Sequence, residues 1–528
     1  MSKIQINPSL SGCKMCKHSI TVILLLLIIS LLSGCALGNK SEAQSSHPMI
    51  SSSPIQYAIE ATWNEQTHTI HASANVTFRN AHDRGLHELV FHWFADSYRK
   101  PELQPIQYQQ RNEQLLLERQ HNAIGDNDVF FGGVTMKKVT TGEGKRLDYT
   151  HANQALTVKL GKALAPGATT SIRIEYEVLV PYGAQRLSYT EQYAGGTYWT
   201  PQLAVYDPIR QAWNRVPNYP GYKSDFFYAA DYDVQLNVPA AWTLITNGTQ
   251  VGRTVEQNRQ IVHTQAYGIR QFVFYASPDY QETKHALTGG GTLSLYTFKQ
   301  RQSSAGEQEK WLSTVEDAIS FYNVKLGKLP VKHWKLVEAP YPEMNEGLDG
   351  IILFGKLGDS QTDSDATDAF VTDDTLRSIA KQWFSSSIGN NAVTDAFLEE
   401  GLSEFAVQYF RHESQGAPWK QVSPTALPAQ PVTTSSIYLD EGALELYRVK
   451  GAAVMTEWVR QTGTEALDTV WQRYFTRYEG KMASVGGYVN VIGHALGQKE
   501  KAAMQQLLSG TASDDDPGSS AIEEGRKS

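Results

Sequence analysis

Arg377 and Lys381 stand four residues apart in the stretch Asp373 to Phe410, DDTLRSIAKQWFSSSIGNNAVTDAFLEEGLSEFAVQYF, and Glu400 follows nineteen residues after Lys381. Residues at i and i+4 lie on one face of a helix. Two cations on one face can meet a carboxylate from a neighbouring helix, and a buried carboxylate needs such partners. The alternative is an ordinary solvated pair, because i,i+4 charges are common on helix surfaces. Ser378 and Lys381 also spell S-x-x-K, a spacing in which a lysine activates a serine for acyl transfer. That spacing recurs at Ser97–Lys100 and Ser11–Lys14, and no K-T-G follows, so it carries little weight.

Two helices must position these groups. Asp374 to Ser386 has an acidic start and an apolar stripe of Leu376, Ile379, Ala380 and Trp383. Thr394 to Arg411 has Phe397, Leu398, Phe405, Ala406 and Tyr409. The Ser/Gly/Asn run Ser385 to Asn391 connects them.

At this stretch the chain resembles the gluzincin metallopeptidases typified by membrane alanyl aminopeptidase. Members carry H-E-x-x-H followed by Q-W on the first helix and E-G on the second. Gln382-Trp383 and Glu400-Gly401 stand at that spacing, but both histidines and the glutamate are absent. In the family the two histidines and the second-helix Glu hold zinc, a fourth position takes water, and the Glu of the motif is the general base. Mapped residue by residue, Arg377, Lys381 and Glu400 occupy the former metal-ligand positions, and Ser378 the general-base position. Arginine stays protonated and lysine offers no free lone pair, so neither ligates zinc at neutral pH. The expectation is that Arg377 and Lys381 pair with Glu400 and supply the two positive charges of the missing ion.

Two further landmarks follow from the resemblance. Members carry G-x-M-E-N or G-G-M-E-Y ahead of the zinc helix, and its Glu binds the substrate's amino group. Here Asn345-Glu346-Gly347-Leu348-Asp349-Gly350 stands there, which puts Asp349 at that position, with Glu346 a second candidate for ligand binding. The bland reading of L-D-G is a turn. Members also carry Y-x-K-G, whose Tyr steadies the oxyanion. Here Arg448 takes that place and Tyr447 sits one residue earlier, about 100° away around a helix. Tyr447 reads equally as a packed core tyrosine.

The remaining chain fits the same outline. Short alternating segments run from Ile55 to about Tyr280, among them Tyr57–Ala61, Ile70–Phe78, Leu89–Phe94, Leu156–Leu160, Ser171–Val180 and Asp233–Val238. They predict a β-sandwich-like domain over 54–285. His87 and His92 flank a near-match to a zinc signature, but in a strand they face opposite sides, so no metal role is assigned. From about Leu295 the period becomes helical, with Glu307–Val324, Gly451–Gln461 and Thr464–Arg477 the clearest stretches and a strand at Trp334–Glu338. The fold class expected is multidomain α+β. The β-sandwich-like domain precedes a thermolysin-like, mainly helical domain over 286–508, and 509–528 is expected to be a polar, disordered tail.

Residues 1–35 read as a targeting segment. Lys3, Lys14 and Lys17 precede an apolar run, Ile20–Leu32, that ends in Leu32-Ser33-Gly34-Cys35. This resembles a bacterial lipobox, implying cleavage before Cys35, lipidation of its thiol and attachment to a membrane outside the cytoplasm. Residues 36–53 then form a tether reaching on the order of 25 Å. Cys13 and Cys16 leave with the leader, so their spacing is not a metal or redox motif. A formal net charge of −8 without an offsetting basic run excludes nucleic acid as the expected partner.

The reading is an aminopeptidase-like lipoprotein without zinc, cofactor or peptidase activity, whose cleft binds a peptide or protein. One alternative is an active zinc aminopeptidase with displaced ligands, although no histidine lies between His333 and His412. The other is a surface scaffold or transporter-associated module.

Overall fold

The computed structural model describes residues 53–121, 127–301, 304–355, 373–422, 427–439 and 442–510. The expected leader with Cys35, almost all of the tether and nearly all of the tail lie outside the described residues.

Strict alternation builds the first half. Ile55–Asn64 buries Ile55, Tyr57, Ile59, Ala61 and Trp63 and turns the intervening residues outward. It pairs antiparallel with Thr69–Arg79 and parallel with Ala230–Pro239. The resulting seven-stranded sheet runs, in spatial order, Thr249–Glu256, Arg259–Ile269, Ala230–Pro239, Ile55–Asn64, Thr69–Arg79, Thr169–Leu179 and Gly133–Thr141. Two four-stranded sheets and the two-stranded pair Tyr206–Asp207 with Ala212–Trp213 complete this half. It also contains helix α1, Ile106–His121, which the strand pattern did not anticipate.

A five-stranded sheet follows, ordered Tyr280–Ala286, Thr292–Phe298, His333–Glu338, Ile351–Phe354, Glu346–Leu348. Its first strand pairs along its whole length with Thr292–Phe298, so a boundary at 285 would cut through a sheet. The two faces of this sheet enter different cores. Val337, Ile351 and Leu353 join the core of the β half, whereas Leu293, Leu295, Leu336 and Ile352 join that of the helical half. A strand buried on both faces must be apolar throughout, which is why Ile351–Phe354 reads IILF.

The helices are α2 (Ala305–Lys325), α3 (Asp373–Lys381), α4 (Leu402–Gln415), α5 (Gly451–Thr462), α6 (Thr464–Tyr478), α7 (Val485–Leu496) and α8 (Gln498–Ser509). α2 opens on a capping box between Ser304 and Glu307. α4 ends at Gly416, whose φ of 66° supplies the left-handed residue that terminates a helix. α3 and α4 are shorter at one end than expected. Gln382–Ser387 widens into a π turn after α3, and Phe397–Gly401 is a π turn before α4. No helix among the described residues is long and apolar enough to cross a membrane.

Candidate functional site

Gln382 and Trp383 fix α3 in place. Gln382 accepts from the Gly350 backbone N–H at 2.7 Å and donates to the Ile351 carbonyl at 3.3 Å, tying the helix to the start of the strand Ile351–Phe354. The buried Trp383 indole donates to the Gly327 carbonyl at 2.8 Å. Gly347 lies so close to α3 that a Cβ there would sit 2.2 Å from the Ser378 carbonyl oxygen.

Lys381 then reaches the facing helix. Its Nζ lies 2.6 Å from Glu400 Oε1 and 3.3 Å from Glu399 Oε1. Arg377 does not reach Glu400, contrary to the pairing expected. It is buried against Glu404, at 2.6 Å, and also pairs with Asp374. The physical reason is a ladder between antiparallel helices. Glu400 and Glu404 are themselves i and i+4, so each cation meets the carboxylate at its own level. Glu404 was legible in the sequence from that spacing.

The second cation on Glu400 is Arg448, the residue at the position where the resemblance places a tyrosine. Its Nε donates to Glu400 Oε2 at 2.7 Å. Tyr222, from the β half, donates its hydroxyl to Glu400 Oε1 at 3.1 Å, and Lys223 pairs with Glu399. Nothing in local sequence pattern points to Tyr222 or Lys223, which lie about 180 residues from the groups they touch. Burial alone would raise the Glu400 pKa, but Arg448, Lys381 and Lys223 together hold the carboxyl well below the usual range. Burial likewise opposes the charge on Arg448, and Glu400 more than restores it.

Tyr447 is the packed tyrosine of the two readings. Its hydroxyl donates to the Thr434 carbonyl at 2.6 Å, and its ring lies 5.6 Å from that of Tyr222. Ser378 is buried, and its lysine partner in S-x-x-K is committed to carboxylates, which removes the activation that acyl chemistry needs.

The two expected ligand-binding carboxylates are also engaged. Arg186 grips Glu346 through Nε and Nη2, both at 2.9 Å, and also pairs with Asp225 at 3.0 Å. Asp349 sits at φ 22° and accepts from the Arg270 N–H at 3.1 Å and the Gln271 N–H at 3.4 Å. Burial raises its pKa to about 6, against the lowering influence of Arg270. Arg270 is buried with carbonyl oxygens of Phe227, Ser386, Ser387 and Lys481 around its guanidinium. Among these charges remains a cavity of only about 40 Å³, room for roughly one to three waters. On the other side of Asp349 a mainly apolar groove of about 480 Å³ opens, walled by Tyr267, Ile269, Leu329 and Val331.

These residues do not suit a divalent metal. Both oxygens of Glu400 carry cationic donors, and the helix positions offer no imidazole. Among the described residues no group of three or more His, Cys, Asp or Glu is arranged to hold a metal ion. His87 is exposed and His92 buried on opposite sides of their strand; burial lowers the His92 pKa to about 4.

No protein-family model matches the sequence, and no curated relative matches it. Solved structures do match by shape. The M1 zinc metallopeptidase of Deinococcus radiodurans superposes with a TM-score of 0.59 at 14% identity, covering 88% of this chain and 94% of that one. A mutant of that enzyme bound to a Tyr-Ser-Ala substrate gives 0.58 at 14%, covering 88% and 95%. Another structure of a mutant of the same enzyme gives 0.60 at 13%, again covering 88% and 95%. At such identity the likeness shows the fold: this chain has the fold of the M1 zinc metallopeptidases.

Proposed function

We propose that this chain, built on the fold of the M1 zinc metallopeptidases, is a non-hydrolytic binding protein held at a membrane outside the cytoplasm by lipid on Cys35. The observation that carries the first part is Glu400, whose two oxygens are taken by Lys381, Tyr222 and Arg448. A metallopeptidase activates water on an ion that needs at least three protein ligands. Here the one remaining ligand-type residue is already neutralised.

A peptide or protein segment is the proposed partner. A structural neighbour is described with a tripeptide substrate, and the apolar groove beside Asp349 falls within the roughly 300–1,000 Å³ of typical ligand sites. The small cavity among Arg186, Glu346, Asp349 and Lys381 is too small for a residue side chain, so binding is assigned to the groove. Amine capture by Glu346 is not part of this reading, because Arg186 already occupies that carboxylate.

Incubation of the purified chain with added zinc and chromogenic aminoacyl substrates tests the reading. The expected result is no hydrolysis above buffer. Chelator-sensitive release of product, abolished by Glu400→Gln, would reverse the conclusion. Anchoring is read separately by whether Cys35→Ser moves the protein from the membrane to the soluble fraction.

A further inference from the structure

We infer that Arg448 is the residue that shuts a divalent cation out of this site, and that the helix substitutions at 377, 378 and 381 are not sufficient to do so. The inference rests on the non-hydrolytic reading and adds the residue responsible.

The argument is geometric. Glu400 has two oxygens, and the cations divide them: Lys381 takes Oε1 and Arg448 takes Oε2. Arg377 takes neither, being committed to Glu404 and Asp374. Returning histidines to 377 and 381 therefore removes only the cation on Oε1, which keeps the neutral Tyr222 hydroxyl at 3.1 Å. A metal placed there would share its carboxylate with a guanidinium whose Nε stays 2.7 Å from Oε2. Two like charges on one buried carboxylate repel strongly, because little solvent screens them.

The backbone is built to deliver that guanidinium. Arg448 lies in the π turn Leu446–Lys450, and Gly451 follows it directly. A Cβ on Gly451 would lie 2.9 Å from the Gly401 Cα, and one on Gly401 would lie 3.0 Å from the Tyr447 carbonyl oxygen. Both glycines have ordinary helical φ, so close approach rather than backbone freedom requires them. Contact at this distance places the root of residue 448 beside that of Glu400. The side chain is anchored in turn, since Glu400 more than offsets the cost of burying its charge.

The experiment compares zinc content after equilibrium dialysis for the full chain, the triple variant R377H/S378E/K381H, and the quadruple variant adding Arg448→Met. Circular dichroism confirms that each is folded. The expected content is less than about a tenth of an equivalent for the first two and about one for the quadruple variant, as for a three-ligand site. Stoichiometric zinc in the triple variant overturns the inference while leaving the non-hydrolytic reading intact. Stoichiometric zinc in the unaltered chain overturns that reading itself. A folded quadruple variant without zinc also overturns the inference.

A second set decides the matter if the quadruple variant does not fold. Lys381→Met and Arg448→Met are made singly, together, and together with Glu400→Gln. Shared neutralisation of Glu400 predicts that the double change lowers Tm by more than the sum of the single changes, and that Glu400→Gln restores part of the loss. Additive losses without rescue contradict it.

Discussion

At the scale of single residues the site is a set of carboxylates held by side-chain cations, some of them shared. Lys381 and Arg448 serve Glu400, Lys223 serves Glu399, Arg377 serves Glu404 and Arg186 serves Glu346. Asp349 differs, because its principal partners are backbone N–H groups. Burial lifts its pKa to about 6 from 3.8, so the folded chain binds the extra proton. Its contribution is therefore fully present below about pH 4 and is lost as pH rises through about 6. Asp349→Asn keeps an acceptor for both N–H groups and suits the positive φ. The variant should match the parent near pH 4 and exceed its stability near neutral pH by on the order of 2 kcal/mol. Denaturant melts across that range check this. An unchanged stability difference between the two pH values would show that Asp349 is not held protonated.

At the scale of elements, π turns and glycines set the geometry. Glu400 sits in the turn before α4, and Arg448 in the turn before α5. Their contact depends on Gly401 against Gly451. Gly451→Ala inserts a methyl group into a packed contact, which costs about 1–3 kcal/mol and separates the two turns. The expected result is a lower Tm with part of the loss absent in a Glu400→Gln background, where no ion pair remains to be stretched. Equal losses in both backgrounds would assign the glycine to packing alone.

This is also where sequence legibility divides. The strands are readable because Ile55–Asn64 and its neighbours alternate cleanly, and α2 because its apolar residues recur at helical spacing. Lys381 facing Glu400 was readable from helix spacing and the E-G landmark. The E-G landmark points Arg377 at Glu400 as well, whereas Glu404, one turn beyond, is the carboxylate at its level. In the sequence Arg448 shows only as a replacement for a tyrosine. Its tie to Glu400 depends on a tertiary contact between glycines, which no local pattern records. Tyr222 and Lys223 come from the β half and carried no signal at all.

At the scale of the molecule, the halves are joined by apolar and charged layers together. The five-stranded sheet contributes one face to each core, and the charged cluster draws Arg186, Tyr222, Lys223 and Arg270 from the β half onto the helical half. The peptidase fold is thus kept while its centre is filled by side-chain cations. A buried ion pair of this kind stabilises little relative to an apolar core, but removing one partner costs about 3–5 kcal/mol. The proposed binding function then falls to the groove beyond Asp349.

The most direct measurement of the central claim is the zinc content of the unaltered chain after dialysis against excess zinc near neutral pH, beside its Glu400→Gln variant. The account predicts the same trace content in both. About one zinc per chain in the unaltered protein, lost in the Glu400→Gln variant, would contradict it.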